Sequence, residues 1–245
     1  MTAYSVLILA RNEAENLQTL LPRVRASFSG SAGALEIIVV DADSPDGTAD
    51  VAARQGAQVI QQSRAGYANA LRQGFALCEG DYVITLDADF SHRPDALGGL
   101  LDAIGNADIV IASRYVAGGR ADMPASRRVL SVVVNRVFGW TLGLRTRDLS
   151  SGFRVYRRSA LQRLSPRGEY FDVLPEIVAL AHFAGLRVAE VPFHYRNREA
   201  GVSKARVLKF APAYVRTLLR CRREKLRDPE RERTAALPYE RDQIE

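Results

Sequence analysis

Short apolar runs alternate with helical patterns over the first half of this 245-residue chain. Each run has the length of a strand buried on both faces of a sheet, and most are followed by a segment with helical periodicity. The apolar runs occupy residues 4–9, 36–40, 57–60, 82–86 and 108–112, and the helical segments occupy residues 13–26, 47–54, 67–78 and 94–104. Such alternation predicts an α/β fold with a mostly parallel central sheet flanked by helices.

Acidic residues follow three of the predicted strands. Glu13 comes after the first, Asp41 after the second, and Asp87 and Asp89 after the fourth. The carboxyl ends of parallel strands meet at one edge of a sheet, where ligands bind in open sheets. Two carboxylates this close repel each other unless a cation or hydrogen-bond donors lie between them. Their oxygens suit Mg²⁺ or Mn²⁺ carrying substrate phosphates, although a solvated turn with an N-cap is the alternative.

Several classes of protein are disfavoured by the sequence. There is no Gly-rich phosphate loop, which argues against a nicotinamide enzyme or a kinase. The two cysteines, Cys78 and Cys221, are far apart and have no metal-binding spacing, which indicates a reducing compartment. The first residues lack the basic region and cleavage site of a signal peptide. We therefore expect a cytoplasmic protein, with a peripheral position at the inner face of the membrane left open.

The second half of the chain is less regular. A helical pattern covers residues 171–185, and a strand pattern covers residues 186–195. The apolar segment 129–144 is too short for a membrane span and has Asn135 and Arg136 at its centre. It predicts a helix packed on the core, with a helix at a membrane interface as the alternative.

Basic charge is concentrated near the C-terminus. Residues 196–227 hold 11 Lys or Arg and two Glu, whereas the whole chain has a net charge of +6. This region also predicts a C-terminal amphipathic helix, because its apolar residues have helical spacing. They lie at positions 207, 208, 211, 215, 218 and 219. Packing on the sheet explains this stripe, and contact with an anionic membrane is the alternative. The segment lacks interleaved aromatics and any recognised module, so we expect no nucleic-acid partner.

Five ordered motifs carry a family resemblance that spans residues 4–210. They are "VVDADSPDGTADVA", "DYVITLDADFSHRP", "DIVIASRY", "DLSSGFRVYRR" and "AEVPFHYRNREAGVSK". Together they resemble the inverting GT-A glycosyltransferases typified by dolichyl-phosphate and polyprenyl-phosphate mannosyltransferases. The resemblance implies a GT-A domain, which we assign to residues 1–227. It also implies metal-dependent transfer of a hexose from a nucleotide sugar to polyprenyl phosphate. The mixed charge and few apolar residues of 228–245 predict a poorly ordered tail.

The resemblance also implies roles for the acidic residues. Asp87 contacts the nucleotide sugar, and Asp89 holds Mg²⁺ or Mn²⁺ on its diphosphate together with Asp87 and Ser91. Asp41 and Glu13 bind the nucleoside of the donor.

Four basic residues match positions that contact donor or acceptor phosphates in the family: Arg114, Arg127, Arg154 and Lys204. Arg114 and Arg154 are counted with Asp87 and Asp89 as catalytic residues. A phosphate acceptor is already nucleophilic and needs little help from a base. Asp148 or Asp172 would serve as the base if the acceptor were a sugar hydroxyl.

Two departures from the family pattern lie in the nucleoside pocket, at residues 9–13 and 41–44. They leave the nucleotide base open. GDP-mannose is the first expectation, and a UDP-sugar used on a lipid phosphate or a saccharide hydroxyl is the second. A non-catalytic module that binds sugar nucleotides is a third hypothesis, which the intact pair of aspartates disfavours.

Overall fold

A seven-stranded sheet forms the centre of the computed structural model, which describes residues 3–30, 33–196 and 210–227. The strands are β1 Tyr4–Ala10, β2 Leu35–Asp41, β3 Gln58–Gln61, β4 Tyr82–Asp87, β5 Ile109–Ser113, β6 Arg120–Ala121, β7 Arg154–Arg157, β8 Val188–Pro192 and β9 His194–Tyr195. The helices are α1 Ala14–Ser27, α2 Thr48–Arg54, α3 Tyr67–Leu77, α4 Leu97–Ala103, α5 Ala125–Leu142, α6 Arg158–Leu161, α7 Val173–Phe183 and α8 Ala211–Arg227. Lys204 and the tail expected at 228–245 lie outside the described residues.

The strand order is β3-β2-β1-β4-β7-β5-β8, and the sheet is mostly parallel as predicted. Strand β7 runs antiparallel between β4 and β5. Because of this reversal, the chain that enters β7 lies at the same edge as the carboxyl ends of its neighbours. The strand predicted over residues 186–195 divides at Phe193: β8 joins the main sheet, whereas β9 pairs with β6.

Both faces of the sheet are covered by helices. Strand β1 shows how the sequence achieves this, since its side chains alternate between two clusters of buried residues. Val6 and Ile8 pack with α1 residues such as Leu17 on one face, and Leu7 packs with residues of α3 and α7 on the other. These three β1 side chains are fully buried. The run of consecutive apolar residues in this strand is therefore explained by burial on both faces.

Helix α5 differs from the core helix expected at 129–144. It ends at Leu142 and is capped by Gly143, which adopts a left-handed conformation with φ of 72°. Phe138 and Leu142 are buried against the core, as predicted. The side chains of Val129 and Trp140, by contrast, are 62% and 90% exposed. The prediction of a core helix is therefore correct for only one side of α5.

Helix α8 buries a different side from the apolar stripe expected of it. Ala213, Thr217 and Cys221 are buried, whereas Val215 and Leu219 of the predicted stripe are 56% and 47% exposed. Polar contacts with α7 and its N-cap explain the orientation: they are Thr217 Oγ1 to Asp172, at 2.7 Å, and Arg220 to Glu176, at 2.6 Å. Among the described residues, no helix is both long enough and apolar enough to cross a membrane.

Candidate active site

Three loops at the carboxyl edge of the sheet contain backbone conformations that L-residues rarely adopt. Asn12, Asp43 and Phe90 have φ of 57°, 54° and 59°, and no other non-glycine residue in the described ranges has a positive φ. They follow β1, β2 and β4 respectively. Each such conformation costs on the order of 1–3 kcal/mol, and these conformations cluster at functional sites. The edge that carries the acidic residues is thus also where the backbone is strained.

The loop after β2 fixes the start of α1. The backbone amide of Glu13 donates to Thr48 Oγ1 at 2.9 Å, and that of Ala14 donates to Asp46 Oδ2 at 3.1 Å. Partial burial acts to raise the pKa of Asp46, but the hydrogen bonds from Thr48 and from backbone amides outweigh it, and the pKa is lowered. Amides at the N-terminus of α1 are therefore satisfied from the neighbouring loop.

Asp41 and Glu13, the residues expected to bind the nucleoside, lie at the ends of neighbouring strands. Asp41 is fully buried, and its carboxylate accepts hydrogen bonds from the amide and the hydroxyl of Ser44, at 3.1 and 2.5 Å. Glu13 is partly exposed and accepts a 2.6 Å hydrogen bond from Asn16. The carboxylate of Asp41 is thus held by its own loop, and Glu13 is the more accessible of the two.

Asp87 ends β4 and is held in place by His92. The backbone amide of Asp87 donates to His92 Nδ1 at 2.9 Å, so this ring nitrogen acts as the acceptor. The imidazole is 4% exposed and stacks on Phe153 with a centroid distance of 5.2 Å. The carboxylate of Asp87, in contrast, is 38% exposed. His92 therefore orders the loop while Asp87 faces the pocket beside it.

Asp89 and Ser91 form the rest of the expected metal site. Asp89 is 3% exposed, and its Oδ1 accepts a 3.0 Å hydrogen bond from the amide of Ser91. The hydroxyl of Ser91 is buried without a hydrogen-bond partner, which costs about 1–3 kcal/mol. A divalent cation would satisfy that oxygen. No group of three or more His, Cys, Asp or Glu that could hold a metal is found in the described residues. Mg²⁺ is commonly bound through one or two carboxylates together with substrate phosphates, and Asp87 and Asp89 are two such carboxylates.

A pocket opens beside Asp87 and has two chemically distinct parts. Asp87, Arg114 and Arg127 bring charge to one part. The other part has apolar and aromatic walls, including Leu130, Val134, Phe171, Leu174 and Phe210. The structure thus brings together three of the residues expected from the sequence. Glu13 and Asp41 are not among the residues that line this pocket.

Arg114 reaches the pocket as half of a buried ion pair. Its Nε and Nη2 atoms each donate to Asp148 at 2.7 Å, and Nη2 also donates to Ser150 Oγ at 2.8 Å. The side chains of Arg114 and Asp148 are 11% and 0% exposed. Burial acts to lower the pKa of Arg114 and to raise that of Asp148. The hydrogen bonds and opposite charges outweigh burial, so the pKa of Arg114 is raised and that of Asp148 is lowered.

Arg154 does not have the position that its sequence motif suggested. Its guanidinium is fully buried and donates to the backbone carbonyls of Ser151, Leu174 and Leu149, at 2.7, 3.1 and 2.7 Å. It is absent from the residues that line the pocket. A phosphate contact by Arg154 conflicts with this arrangement, because the guanidinium is fully buried and each of its three nitrogens donates to a backbone carbonyl. Arg154 instead ties the loop before β7 to α7.

The two candidate bases are also engaged elsewhere. Asp148 is paired with Arg114, and Asp172 accepts hydrogen bonds from the amide of Tyr170 and from Thr217 Oγ1, at 2.8 and 2.7 Å. Both carboxylates are buried, and neither lines the pocket. Neither of these two carboxylates is therefore placed to act as a base in the pocket.

Comparison with known proteins gives the family. The sequence model of the family described as "Glycosyl transferase family 2" matches residues 5–165. The chain belongs to glycosyl transferase family 2. A relative from Mycolicibacterium smegmatis, named polyprenol monophosphomannose synthase, is 36% identical over 216 residues, which cover 81% of this chain and 79% of that protein. The dolichol-phosphate mannosyltransferase of Pyrococcus furiosus is 34% identical, and the match covers 82% of this chain but only 58% of that longer protein.

Solved structures show the same fold. The mannosyl-3-phosphoglycerate synthase of Rubrobacter xylanophilus has a TM-score of 0.75 at 24% identity, covering 92% of this chain and 76% of that one. The glucosyl-3-phosphoglycerate synthase of Mycobacterium tuberculosis, in complex with Mn²⁺ and UDP, has a TM-score of 0.70 at 20% identity, covering 90% of this chain and 80% of that one. The predicted family, GT-A fold and glycosyltransferase activity are confirmed, and divalent metal is used within this fold family.

Gly152 and Tyr67 belong to this candidate site, and sequence analysis did not single them out. Both line the pocket, and Tyr67 stacks on Phe171 with a centroid distance of 4.5 Å. Burial, followed by the charge of Asp87, raises the pKa of Tyr67 well above its ordinary value. A Cβ atom at Gly152 would lie 3.0 Å from Tyr67 Oη and 3.9 Å from Asp87 Oδ1. The glycine after "DLSS" was the available signal, since it marks a close approach to a site.

We expect Gly152→Ala to lower kcat/KM about tenfold, because the added methyl group displaces Tyr67 and intrudes beside Asp87, and small displacements at a reacting centre are costly. The unfolding free energy should fall by about 1–3 kcal/mol, since the stacked Tyr67 has to move to admit the methyl group. Gly98→Ala on α4 is the control, because a Cβ there meets no atom within 4 Å. Full activity in Gly152→Ala would show that this contact does not shape the site.

Proposed function

We propose that this protein transfers mannose, with inversion, from GDP-mannose to polyprenyl phosphate. The observation that carries the proposal is the pocket with two chemically distinct parts. Arg114 and Arg127 suit a phosphate, and the apolar walls from α5, α7 and Phe210 suit the isoprenoid chain attached to it. The relative named polyprenol monophosphomannose synthase supports this choice of acceptor and sugar.

The two arginines have different parts in holding the acceptor. Arg127 lies in the first turn of α5 and forms no ion pair within the described residues, so its charge is available to a phosphate. Arg114 is fixed by Asp148, and its positive charge lies at one wall of the pocket in a defined place. A planar guanidinium is suited to phosphate oxygens. Lys204 is a further candidate by its motif alone.

The transfer forms one bond and breaks another. A phosphate oxygen of the acceptor attacks C1 of the hexose from the face opposite the leaving group. The bond from C1 to the donor diphosphate breaks, the nucleoside diphosphate leaves with the electron pair, and the configuration at C1 inverts. The attacking oxygen is already anionic near neutral pH, so no proton has to be removed. The engagement of Asp148 and Asp172 in structural contacts fits this chemistry.

The donor is assigned to the edge formed by β1, β2 and β4. Asp87, Asp89 and Ser91 would hold Mg²⁺ or Mn²⁺, which when bound neutralises charge on the leaving diphosphate. Glu13 and Asp41 lie farther along the same edge, where the nucleoside would extend. Asp41 and Asp87 end the two strands that flank β1, since Ala10 pairs with Asp41 and Leu9 pairs with Asp87. We also propose that the protein is peripheral at the inner face of the membrane, because its acceptor is a lipid.

Calorimetric titration of GDP-mannose and UDP-glucose, each with and without Mn²⁺, tests the donor. We expect manganese-dependent binding of GDP-mannose and much weaker binding of UDP-glucose. The reverse preference would favour the UDP-sugar hypothesis. Failure of the folded protein to bind either donor would overturn the proposed reaction.

A further inference from the structure

A second pocket, which we call the α5 pocket, lies on a different side of α5 from the active site. Among the described residues, the two pockets share no lining residue. Leu130 and Val134 of α5 line the pocket beside Asp87, whereas Asn135 and Gly139 line the α5 pocket. Its volume is about 530 Å³, which lies within the range of sites that hold small molecules. The α5 pocket is therefore a cavity separate from the acceptor site.

The turn that follows α5 forms part of the α5 pocket. Gly143 adopts a left-handed conformation, after which the backbone amide of Leu144 donates to the carbonyl of Gly139 at 2.9 Å. The chain therefore folds back along α5. This reversal brings Arg145 and Arg147 to the wall of the pocket.

Two side chains in the α5 pocket lack the hydrogen bonds that buried polar groups normally form. Asn135 is 5% exposed, and neither its amide nitrogen nor its amide oxygen has a hydrogen-bond partner. The hydroxyl of Tyr115, which also lines the pocket, is buried and unpaired. Such unsatisfied groups are destabilising, and native structures contain few of them. Because the amide nitrogen only donates and the amide oxygen only accepts, a ligand that satisfies Asn135 must offer both an acceptor and a donor.

Positive charge surrounds these unpaired groups. Residues 123–147 contain five arginines and no acidic residue. Arg136, Arg145 and Arg147 are exposed and line the α5 pocket, and none of them forms an ion pair within the described residues. Guanidinium groups are well matched to the oxygens of a phosphate. The acceptor that the ligand offers is therefore best supplied by a phosphate group.

An aromatic surface completes the α5 pocket. Trp140 lines the pocket, yet it is 90% exposed. An indole ring left so open offers a large apolar surface on which another ring can pack. Sugar rings and nucleobases both have a face suited to this contact, and both carry hydrogen-bond donors.

We propose that the α5 pocket binds a phosphate ester attached to a ring that carries a hydrogen-bond donor, as in a sugar phosphate or a nucleotide. The three arginines hold the phosphate, Asn135 and Tyr115 form hydrogen bonds with the ligand, and the ring lies against Trp140. Inorganic phosphate contacts the arginines but leaves Trp140 uncovered. It should therefore bind more weakly than the ester.

The α5 pocket adjoins the ion pair that forms one wall of the active site. Two of its lining residues, Tyr115 and Arg147, are the chain neighbours of Arg114 and Asp148. The guanidinium of Arg114 also lies over the ring of Tyr115, at 5.2 Å from its centroid. A ligand held by Tyr115 and Arg147 thus contacts both segments that position this pair. Binding requires neither donor nor acceptor, so the proposal does not rest on the proposed function.

Trp140 is the only tryptophan in the chain, so its fluorescence reports binding directly. The full-length protein is titrated with mannose 6-phosphate, GMP or inorganic phosphate, with EDTA present and without acceptor lipid. We expect saturable quenching by at least one of the two esters, about tenfold tighter than by inorganic phosphate, and a melting temperature that rises with the concentration of that ester. The preferred ester distinguishes a sugar phosphate from a nucleotide.

Two variants assign the binding to the α5 pocket. The double variant R145Q/R147Q should weaken it about 30-fold, because charge-assisted hydrogen bonds to the phosphate are lost. Asn135→Leu keeps the approximate size of the side chain and removes its unpaired polar atoms. It should weaken binding about tenfold and raise the melting temperature of the free protein by about 2–4 °C. A purely structural role for Asn135 would not combine lower affinity with higher stability.

The double variant R222Q/R223Q on α8 is the matched control, since it removes the same charge from two exposed arginines outside the α5 pocket. It should bind the ester within about twofold of the unaltered protein. The proposal is overturned if neither ester binds or if inorganic phosphate binds as tightly as both. It is also overturned if R145Q/R147Q retains full affinity, which would assign the ester to the donor site.

Titration of GDP-mannose with Mn²⁺ on the same samples separates the two proposals. An unaltered protein that binds GDP-mannose but neither ester overturns only the α5 site. The converse result overturns only the proposed reaction.

Discussion

Asp89→Asn should abolish manganese-dependent donor binding and lower kcat/KM by about 10³-fold, because several kcal/mol of charge stabilisation on the leaving diphosphate are lost. The asparagine side chain keeps an oxygen that can accept the 3.0 Å hydrogen bond from the backbone amide of Ser91, so the loop should keep its shape. The variant removes the negative charge and little else. Calorimetric titration of GDP-mannose with and without Mn²⁺, followed by initial-rate kinetics, measures both effects.

Asp95→Asn is the control for this experiment. Asp95 lies six residues farther along the same segment, and its side chain is 66% exposed and paired with Arg93. Its loss should leave the manganese dependence unchanged and alter the unfolding free energy by less than about 1 kcal/mol. Equal donor affinity in Asp89→Asn and the unaltered protein, at every Mn²⁺ concentration, would contradict a metal role for Asp89.

The acidic edge of the sheet was predictable because strand period and strand direction determine it. A carboxylate that directly follows a buried parallel strand lies at the carboxyl edge of the sheet, and this position does not depend on the conformation of the loop beyond it. Asp87 and Asp41 follow this rule. The antiparallel β7 was not foreseen, since a four-residue strand in an irregular region carries little periodic signal.

Side-chain direction was much harder to predict than position. The motif "GFR" placed Arg154 at the correct edge of the sheet, but its guanidinium points to three backbone carbonyls of the interior. Such a role depends on which carbonyls the tertiary fold leaves unpaired, and no local pattern encodes that. Helix α5 shows the same limit. Its apolar content predicted burial, yet Val129 and Trp140 lie on the outer side because Phe138 and Leu142 already cover the core.

Asp148→Asn should lower the unfolding free energy by about 3–5 kcal/mol, the largest stability effect we expect from one substitution. Removing one partner of a buried pair leaves the other charge uncompensated, and the side chain of Arg114 is only 11% exposed. For a domain of this size the melting temperature should fall by roughly 10 °C. Activity should fall too, since Arg114 loses the carboxylate that fixes it at the pocket wall. Urea unfolding and initial-rate kinetics measure the two effects.

The pH dependence of this loss has a defined sign. The pKa of Asp148 is lowered in the folded protein from its ordinary value of 3.8. The pair therefore contributes its full stability above that ordinary value, and the contribution is lost as the pH falls through the lowered folded-state pKa. The difference in unfolding free energy between the unaltered protein and Asp148→Asn should be constant near neutral pH and should shrink below about pH 4.

Glu169→Gln provides the comparison for Asp148→Asn. Glu169 pairs with Arg216 at 3.3 Å, but both side chains are 63% exposed. Water and salt screen such a pair, so its removal should cost less than about 1 kcal/mol. If the two variants lost equal stability, burial would not be the reason for the strength of the Arg114–Asp148 pair. Asp148→Asn with unchanged kinetics would likewise show that Arg114 needs no carboxylate to hold its place at the pocket wall.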